Sequence, residues 1–333
     1  MIKLVKTRDT QKVEEIVIKH FRGGHYCNNF EVIKEVKDGV YRFRNIIKGN
    51  GTMKFYIIYV EAKAVLIAPL FTRKNLATVA GTSEGFDFVD FLYSDEALDK
   101  EIEIALSFLF EQLKHEGIRE LRWNWMPDDT ISNVILEKSY REKSNIEIVE
   151  NTIIPFNDYD SYKSGLSKNT KQNLRTAQNR LNRDNKKYEF HISLAECIDN
   201  EQIKDCLKLY YDRQKTKYGV SFLHQLAIKT LDFNTRLLIK RKGVLANFLI
   251  DGEVAAFMFG YINQRNHSLE IPKLAINEKF GFYSPGMLLV DNTVKYLANN
   301  TSIKNLDLCR GTEQYKLKMG GKIYPTYKYI VKI

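Results

Sequence analysis

The 333-residue chain is poor in the residues that dominate linkers, collagens and disulfide-stapled proteins, with 6 prolines, 18 glycines and 4 cysteines. This content excludes a collagen-like or linker protein. No two cysteines have Cys-x-x-Cys spacing, so no disulfide framework is predicted. No stretch approaches about 18 uncharged apolar residues, so we predict no transmembrane helix. The amino terminus meets charge within a few residues and has no apolar core, which argues against a secretory signal and favours a cytoplasmic protein.

Histidine-based metal motifs are also missing. The six histidines form no His-Glu-x-x-His motif. His20 and His25 stand beside Cys27 in a glycine-containing segment, but no second ligand pair has suitable spacing. We therefore predict a polar loop there and no metal site.

The composition is that of a globular protein. Hydrophobic residues make up 44% and charged residues 28% of the chain, which excludes wholesale disorder. The length suggests about two domains, and the aromatic content of 12% requires large apolar surfaces to bury it.

Positive charge is concentrated in one segment. The chain carries a formal charge of +10, and residues 161–190 contain eight basic residues against Asp184 and Glu189, which makes this segment +6. An anionic partner or substrate is therefore plausible. The basic residues are Lys163, Lys168, Lys171, Arg175, Arg180, Arg183, Lys186 and Lys187.

The two halves of the chain have similar patterns. In the first half, residues 53–61 and 64–71 predict a hairpin, residues 97–115 an amphipathic helix and residues 118–126 a strand. A short helix and a strand near 145–156 follow.

The second half repeats this order. A strand around 188–192 and helices at 200–217 and near 222–233 lead to the strands 244–250 and 253–262, which flank an Asp-Gly turn. Further strands are predicted at 267–276, 305–308 and 326–333, with a helix from Ser284 to about residue 299. We predict a mixed α/β (α+β) protein with two sheet domains, residues 1–160 and 161–333.

Three sequence pieces of the second half carry a family resemblance: Tyr-Ser-Pro-Gly-Met-Leu-Leu at 283–289, Asp-Leu-Cys-Arg-Gly-Thr-Glu-Gln-Tyr-Lys at 307–316, and Leu-Ser-Lys at 166–168 with Asn-Leu-Arg at 173–175. Together they resemble the CelD/BcsL-like polysaccharide-biosynthesis acetyltransferases of the GNAT superfamily. These enzymes are similar to the Fem peptidyltransferases, which use two GNAT domains. The resemblance covers about residues 160–325 and implies two tandem GNAT-like domains and an acyl-CoA donor.

The segment Ser284-Pro285-Gly286-Met287 is the candidate donor site. Ser284 suits an N-cap, Pro285 suits the first helical turn, and Gly286 permits close approach of backbone or ligand. Free N–H groups at a helix start bind phosphate. The alternative is that the segment only begins a helix.

Glu313, Tyr315 and Lys316 are the candidate catalytic residues. Acyl transfer needs a base for the attacking amine or hydroxyl, an acid for the leaving group, and charge stabilisation, roles that these three side chains can fill in that order. The alternative is a solvated loop or helix end with Tyr315 packed on the core. Glu270 and His267 are three residues apart on a predicted strand and therefore point to opposite faces, so at most one of them can reach the substrate. Glu270 is a reserve base, and His267 ranks below it.

Other charged residues are candidates for binding. Lys168, Lys171 and Arg175 fall on one helical face and, with Arg310, are candidate substrate- or anion-binding residues. The alternative is that they only form the solvated face of a helix that packs through its apolar stripe of Leu174, Ala177 and Leu181.

An acidic patch lies in the first half. Residues 81–93, with Glu84, Asp87 and Asp90, either line an acceptor site or form a surface loop. Asp307, within a predicted strand, is expected to be a buried, hydrogen-bonded structural group.

The favoured function is acyl transfer from acetyl-CoA or another acyl-CoA to an amine or hydroxyl of a sugar-containing or other small acceptor, such as a glycan precursor. The first alternative is a Fem-like transferase that uses aminoacyl-tRNA and a cell-wall precursor, which the basic segment favours because tRNA is a polyanion. The second is a non-catalytic nucleic-acid-binding module, although no RRM, KH or helix-turn-helix pattern is present.

Overall fold

The computed structural model describes residues 1–21, 30–38, 49, 51–82, 86–194, 197–218 and 243–333. The chain divides into two compact units, the first formed by residues 1–150 with 324–333 and the second by residues 151–323. Among the described helices none is both long and apolar enough to cross a membrane.

The first unit is a mixed sheet with helices. Its strands follow the order β1–β2–β3–β4–β6, with β13 beside β6 and β5 beside β3. β4 and β6 are parallel, whereas β1–β2, β2–β3, β3–β4, β3–β5 and β6–β13 are antiparallel. Its elements are β1 (Ile2–Thr7), α1 (Thr10–His20), α2 (Phe30–Lys37), β2 (Thr52–Val60), β3 (Lys63–Arg73), β4 (Leu76–Val79), β5 (Leu92–Tyr93), α3 (Asp99–His115), β6 (Glu120–Pro127), α4 (Ile131–Ser139), a 3₁₀ helix (Arg141–Lys143), most of β7 (Ser144–Pro155) and most of β13 (Lys322–Lys332).

The second unit repeats this organisation. Its strands follow the order β7–β12–β11–β10–β9–β8, where only β11 and β12 are parallel. Its elements are residues 151–155 of β7, α5 (Tyr159–Gly165), α6 (Lys168–Arg183), β8 (Tyr188–Leu194), α7 (Asn200–Tyr218), β9 (Gly243–Ile250), β10 (Glu253–Asn263), β11 (Ser268–Ile276), a 3₁₀ helix (Glu278–Tyr283), α8 (Pro285–Asn300), β12 (Asn305–Arg310) and α9 (Gln314–Lys318).

Alternating side chains cover both faces of the second sheet. Leu174, Leu181 and the buried stripe of α8 pack on one face, and α7 packs on the other against Leu245 and Phe257. The Asp-Gly turn between β9 and β10 has positive φ at both Asp251 (52°) and Gly252 (80°), as a tight hairpin turn requires.

The mixed α/β prediction is confirmed, and most predicted strands and helices are present with ends shifted by a few residues. Two details differ. His267 lies in a turn with φ 47° before β11 begins, and Leu98, an apolar residue of the amphipathic helix predicted at 97–115, is 70% exposed. Tyr315 and Lys316 lie in a short helix, which agrees with the helix end named as an alternative. The helix predicted near 222–233 lies outside the described residues, as do His25, Cys27 and Glu84.

Candidate functional site

A cleft opens between the two parallel strands of the second unit. β11 and β12 pair only over residues 268–270 and 305–307. On β10 and β11, Tyr261 pairs with Glu270 and Phe259 pairs with Lys273. These two pairs are separated by two residues along β10 but by three along β11, so β11 has a β-bulge there. Beyond this point residues 271–276 of β11 have no pairing with β12. This parallel pair interrupts the antiparallel order of the sheet, and a crevice between two separating strands is a place where a ligand can bind.

Gly260 makes this bulge possible. A Cβ built at residue 260 would lie 1.8 Å from the carbonyl oxygen of Glu270. Only glycine therefore allows β10 to approach the bulged strand so closely. The backbone position of Glu270 is set by this contact, at the last paired residue before the cleft.

Two buried carboxylates lie on neighbouring strands where β11 and β12 separate. Glu270 is fully buried and stands in register with Asp307, which is 4% exposed. The Nδ2 of Asn263 donates to Oε1 of Glu270 at 2.8 Å. Asp307 Oδ1 accepts from the N–H of Cys309 at 2.8 Å, which confirms the structural role predicted for Asp307. His267 is exposed in the preceding turn, so it does not share the buried position of Glu270.

Glu313 and Tyr315 follow the end of β12. Glu313 is the N-cap residue of α9, and its side chain is 56% exposed. The Tyr315 ring packs against the main core of the unit. Burial raises the pKa of the Tyr315 hydroxyl, and the charge of Glu313 adds to this, so the hydroxyl stays protonated at neutral pH. A protonated hydroxyl is what a proton donor needs.

Lys316 is turned towards the chain itself. Its side chain is 5% exposed, and its Nζ lies 3.0 Å from Glu313 Oε2. The same Nζ donates to the carbonyl oxygens of Leu308 at 3.0 Å, Arg310 at 2.7 Å and Gly311 at 3.2 Å. An ammonium group has three donors, so these contacts saturate it. Lys316 therefore holds the turn after β12, and a direct contact with substrate stays a prediction.

The start of α8 partly matches its predicted role. Pro285 occupies the first helical position as predicted, and Ser284 is the N-cap. However, Ser284 is left-handed (φ 50°, ψ 49°), and its side chain makes no capping bond. The N–H of Gly286 likewise has no backbone acceptor among the described residues. Pro285 has no N–H, and the N–H groups of Met287 and Leu288 donate to the carbonyl oxygen of Ser284 at 3.1 and 3.3 Å. The N–H of Gly286 is therefore the group at this helix start that fits an anion.

Gly286 has a different packing role from the one expected. A Cβ there would lie 2.5 Å from Cδ1 of Ile276, so this glycine admits the side chain at the end of β11. Met287 is half-buried against the main core. Phosphate binding by Ser284-Pro285-Gly286-Met287 stays a prediction.

The basic helix α6 packs as its pattern predicts. Leu174, Ala177 and Leu181 are buried, with at most 2% exposure. Lys168 and Arg175 are exposed, whereas Lys171 Nζ donates to the carbonyl of Ser164 at 2.8 Å. Arg310, at the end of β12, is also exposed. Anion binding by these residues stays a prediction.

The acidic patch of the first unit is not a surface loop. Asp87 and Asp90 are only 3% and 5% exposed, so that alternative is wrong for both. Asp90 Oδ1 accepts from Ser132 Oγ at 2.6 Å, and Ser132 also bonds Tyr93. Burial, followed by the charge of Asp90, raises the pKa of Tyr93. The sequence held no periodic signal for this burial.

A cavity of about 640 Å³ lies between α7, the β9–β10 turn and the end of β11. Its wall holds more carboxylates than basic groups, so an anionic donor does not fit it. No three His, Cys, Asp or Glu side chains within the described ranges are arranged to hold a metal ion. The charged residues of the wall are Asp205, Asp212, Asp251, Glu253, Glu278, Lys208 and Arg213.

Comparison with known proteins identifies the fold. Residues 168–317 match the family model described as "Acetyltransferase (GNAT) domain". A crystal structure of FemX has a TM-score of 0.57 at 10% identity, covering 98% of this chain and 97% of that chain. A conserved protein of unknown function from Bacteroides thetaiotaomicron has a TM-score of 0.56 at 13% identity, with 100% of each chain covered. No curated protein matches the chain. The identities are low, so these structures show the fold alone. With the family model over residues 168–317, the fold is of the GNAT type.

Proposed function

We propose that this chain transfers an acyl group from an acyl-CoA to an amine or hydroxyl of a sugar-containing or other small acceptor. The cleft between β11 and β12 is the observation that carries this proposal. Residues 271–276 of β11 have no partner in β12, although Arg213 Nη1 donates to the carbonyl oxygen of Leu274 at 3.2 Å. The chain then leads through one 3₁₀ helix to the start of α8, which has no side-chain cap. An extended thioester can lie along residues 271–276 while its phosphates lie at the helix N-terminus.

The residues around the cleft can supply the chemistry. The acceptor nitrogen or oxygen attacks the thioester carbonyl, the C–S bond breaks, and the acceptor proton passes to a carboxylate. Glu270, at the mouth of the cleft, and Glu313, after β12, are the two candidate bases. Tyr315 protonates the departing thiolate, since burial keeps its hydroxyl protonated. Lys316 keeps the turn that carries Glu313 and Tyr315 in one conformation.

The proposed acceptor is a small molecule that carries an amine or a hydroxyl. The sequence resemblance to polysaccharide-biosynthesis acetyltransferases supports a glycan precursor or another small molecule, and both N- and O-acylation remain part of the proposal. Lys168, Arg175 and Arg310 are exposed cations that can bind an anionic acceptor or donor.

A Fem-like transfer from aminoacyl-tRNA to a cell-wall precursor is the second candidate. The exposed basic residues of α6 favour it, because a helix that presents Lys168 and Arg175 to solvent suits a polyanion. The fold shared with FemX is compatible with either donor.

The test is a screen of CoA thioesters for thermal stabilisation, followed by mass spectrometry of candidate sugar and amine acceptors. We expect at least one acyl-CoA to stabilise the protein and to yield an acylated product. Tyr315→Phe is near-isosteric and should lower turnover while leaving donor affinity unchanged, and so should the glutamine variant of whichever of Glu270 and Glu313 is the base. Stabilisation by tRNA and not by any CoA thioester would favour the second candidate. Copurified nucleic acid without any transfer would favour a nucleic-acid-binding module.

A further inference from the structure

An exposed aromatic side chain stands beside the start of α8. Phe282 is 52% exposed, although it belongs to an ordered 3₁₀ helix of the second unit. The Arg180 guanidinium carbon lies 4.2 Å from the centre of the Phe282 ring, and that of Arg183 lies 5.8 Å away. Arginines of α6 thus flank an aromatic ring that remains half open to solvent.

The platform formed by Phe282, Arg180 and Arg183 is held in place by its neighbours. Arg180 Nη1 donates to the carbonyl oxygen of Phe282 at 2.8 Å. Arg183 Nε donates to Asp184 Oδ1 at 2.8 Å, and the hydroxyl of Tyr283 donates to Oδ2 of the same carboxylate at 3.0 Å. The Arg183 guanidinium lowers the pKa of Asp184, so this pairing persists at neutral pH. The guanidinium planes and the ring are therefore oriented in advance of binding.

Such a platform has a defined binding preference. A purine base stacks on an aromatic ring and on arginine guanidinium groups. Arginine N–H groups also bind phosphate oxygens. Arg183 uses Nε and Nη2 on Asp184 and Arg180 uses Nη1 on the carbonyl oxygen of Phe282, so the other N–H groups of the two guanidinium groups would take this role. Phe282 is two residues before Ser284, so a base on the ring would lie near the helix start where the donor phosphates are proposed.

We propose that Phe282, Arg180 and Arg183 bind the phosphate-bearing adenosine of the acyl donor. This inference rests on the proposed function, because it names the part of the donor that this surface recognises. The shared chemistry is an adenosine with phosphate, which occurs both in coenzyme A and at the 3′ end of tRNA. With coenzyme A the platform gives affinity and leaves the reacting thioester, at the far end of the pantetheine arm, to the cleft. With aminoacyl-tRNA the ester is carried by the terminal adenosine itself, so the platform would bind the same residue that reacts.

The experiment compares ligands with and without adenosine on matched variants. Calorimetry would measure coenzyme A and 4′-phosphopantetheine, which lacks the adenosine, on the wild type, on Phe282→Ala and on Tyr296→Ala. Tyr296 is a suitable control because it is 38% exposed on the last turns of α8, away from the helix start. We expect Phe282→Ala to weaken coenzyme A about 10-fold and to leave 4′-phosphopantetheine unchanged. Tyr296→Ala should change neither, and both variants should melt like the wild type.

The outcomes distinguish coenzyme A from tRNA as the source of the adenosine. They also distinguish failure of the platform from failure of the proposed function. If the wild type binds tRNA but not coenzyme A, intact tRNA is compared with tRNA that lacks its terminal adenosine. The wild type should bind the shortened tRNA more weakly, and Phe282→Ala should bind both equally. If the wild type binds coenzyme A and Phe282→Ala binds it equally well, the platform is refuted while the proposed function stands. Equal weakening of coenzyme A and 4′-phosphopantetheine also refutes it. Binding of neither coenzyme A nor tRNA refutes both proposals.

Discussion

The two units build the same framework but connect it differently. In each, a hairpin leads to a third strand that pairs in parallel over three residues, 76–78 with 120–122 in the first unit and 268–270 with 305–307 in the second. In the first unit residues 80–98 join the third strand to the long helix; in the second the connection is residues 277–284. The described part of the longer connection buries Phe86, Phe88 and Phe91.

The starts of the two long helices also differ. In α3 the Glu101 carboxylate accepts from the N–H of Leu98 at 2.8 Å, and Asp99 adds a second acid to the first turn. In α8 the first turn has no acid and no side-chain cap. A helix that is already capped by its own carboxylate repels an added anion, whereas an uncapped one attracts it. The two units thus share a framework and differ in its connections: the second has a short connection and no acid or side-chain cap in the first turn of its helix, whereas the first has a longer connection and two acids there.

The largest expected effect lies at the last residue of the parallel pairing in each unit. Glu270 holds that place in the second unit and Thr78 in the first. We expect Glu270→Gln to reduce turnover by about 10²–10⁴-fold, because the amide cannot accept a proton. Its oxygen can still accept from Asn263, so the melting temperature should be near that of the wild type.

The matched control is Thr78→Val, which should retain turnover, measured by product formation at saturating donor. Full activity in Glu270→Gln would show that Glu270 is not the base and would leave Glu313 as the candidate. Glu270 and Thr78 would then not differ in their effect on turnover.

Lys316→Met should produce the next effect, on the stability of the second unit. The change leaves the carbonyl oxygens of Leu308, Arg310 and Gly311 without their shared donor. We expect a loss of about 2–4 kcal/mol in the free energy of unfolding, measured in denaturant. Hydrogen exchange over residues 308–313 should become faster.

Lys318→Met is the control for this change, because Lys318 is exposed on the same short helix. If Lys316→Met is as stable as the wild type but has lost turnover, Lys316 acts on the substrate and not on the turn.

The smallest effect tests the two helix starts directly. Met287→Glu places a carboxylate in the first turn of α8, as Glu101 does in α3. We expect donor affinity to fall about 10-fold, because the new charge opposes the donor phosphates at the helix start. Met287→Gln controls for lost packing and should bind better than Met287→Glu at low salt, with the gap narrowing as salt rises. Equal binding at all salt concentrations would place the phosphates elsewhere.

Local pattern was enough to predict most of the second unit. The Asp-Gly turn between apolar runs predicted β9 and β10, and the spacing of Leu174, Ala177 and Leu181 predicted the buried face of α6. These signals are local, because turn chemistry and side-chain periodicity depend on neighbouring residues. The short strand β4 and the helices α1 and α2 were missed, since their patterns are brief.

The cleft itself could not be predicted in this way. Its bulge needs Gly260 of β10 against the backbone of Glu270, a contact that depends on strand register. The burial of Asp87 and Asp90 was likewise missed, because carboxylates in a glycine-containing segment are usually exposed and only hydrogen bonds such as that from Ser132 make burial tolerable.

The sequence by itself determined the mixed α/β class, the repeated element order, the basic helix and the position of the helix that begins at Pro285. Only the tertiary structure decided which charged groups face the cleft and which serve the chain. Glu270 is placed beside Asp307 by strand pairing, and Lys316 is turned onto three carbonyl oxygens by the fold of one turn. The physical reason is that residue type and periodicity follow from the neighbours in the chain, whereas the partner of a buried charge is chosen by segments that meet only when the sheet forms.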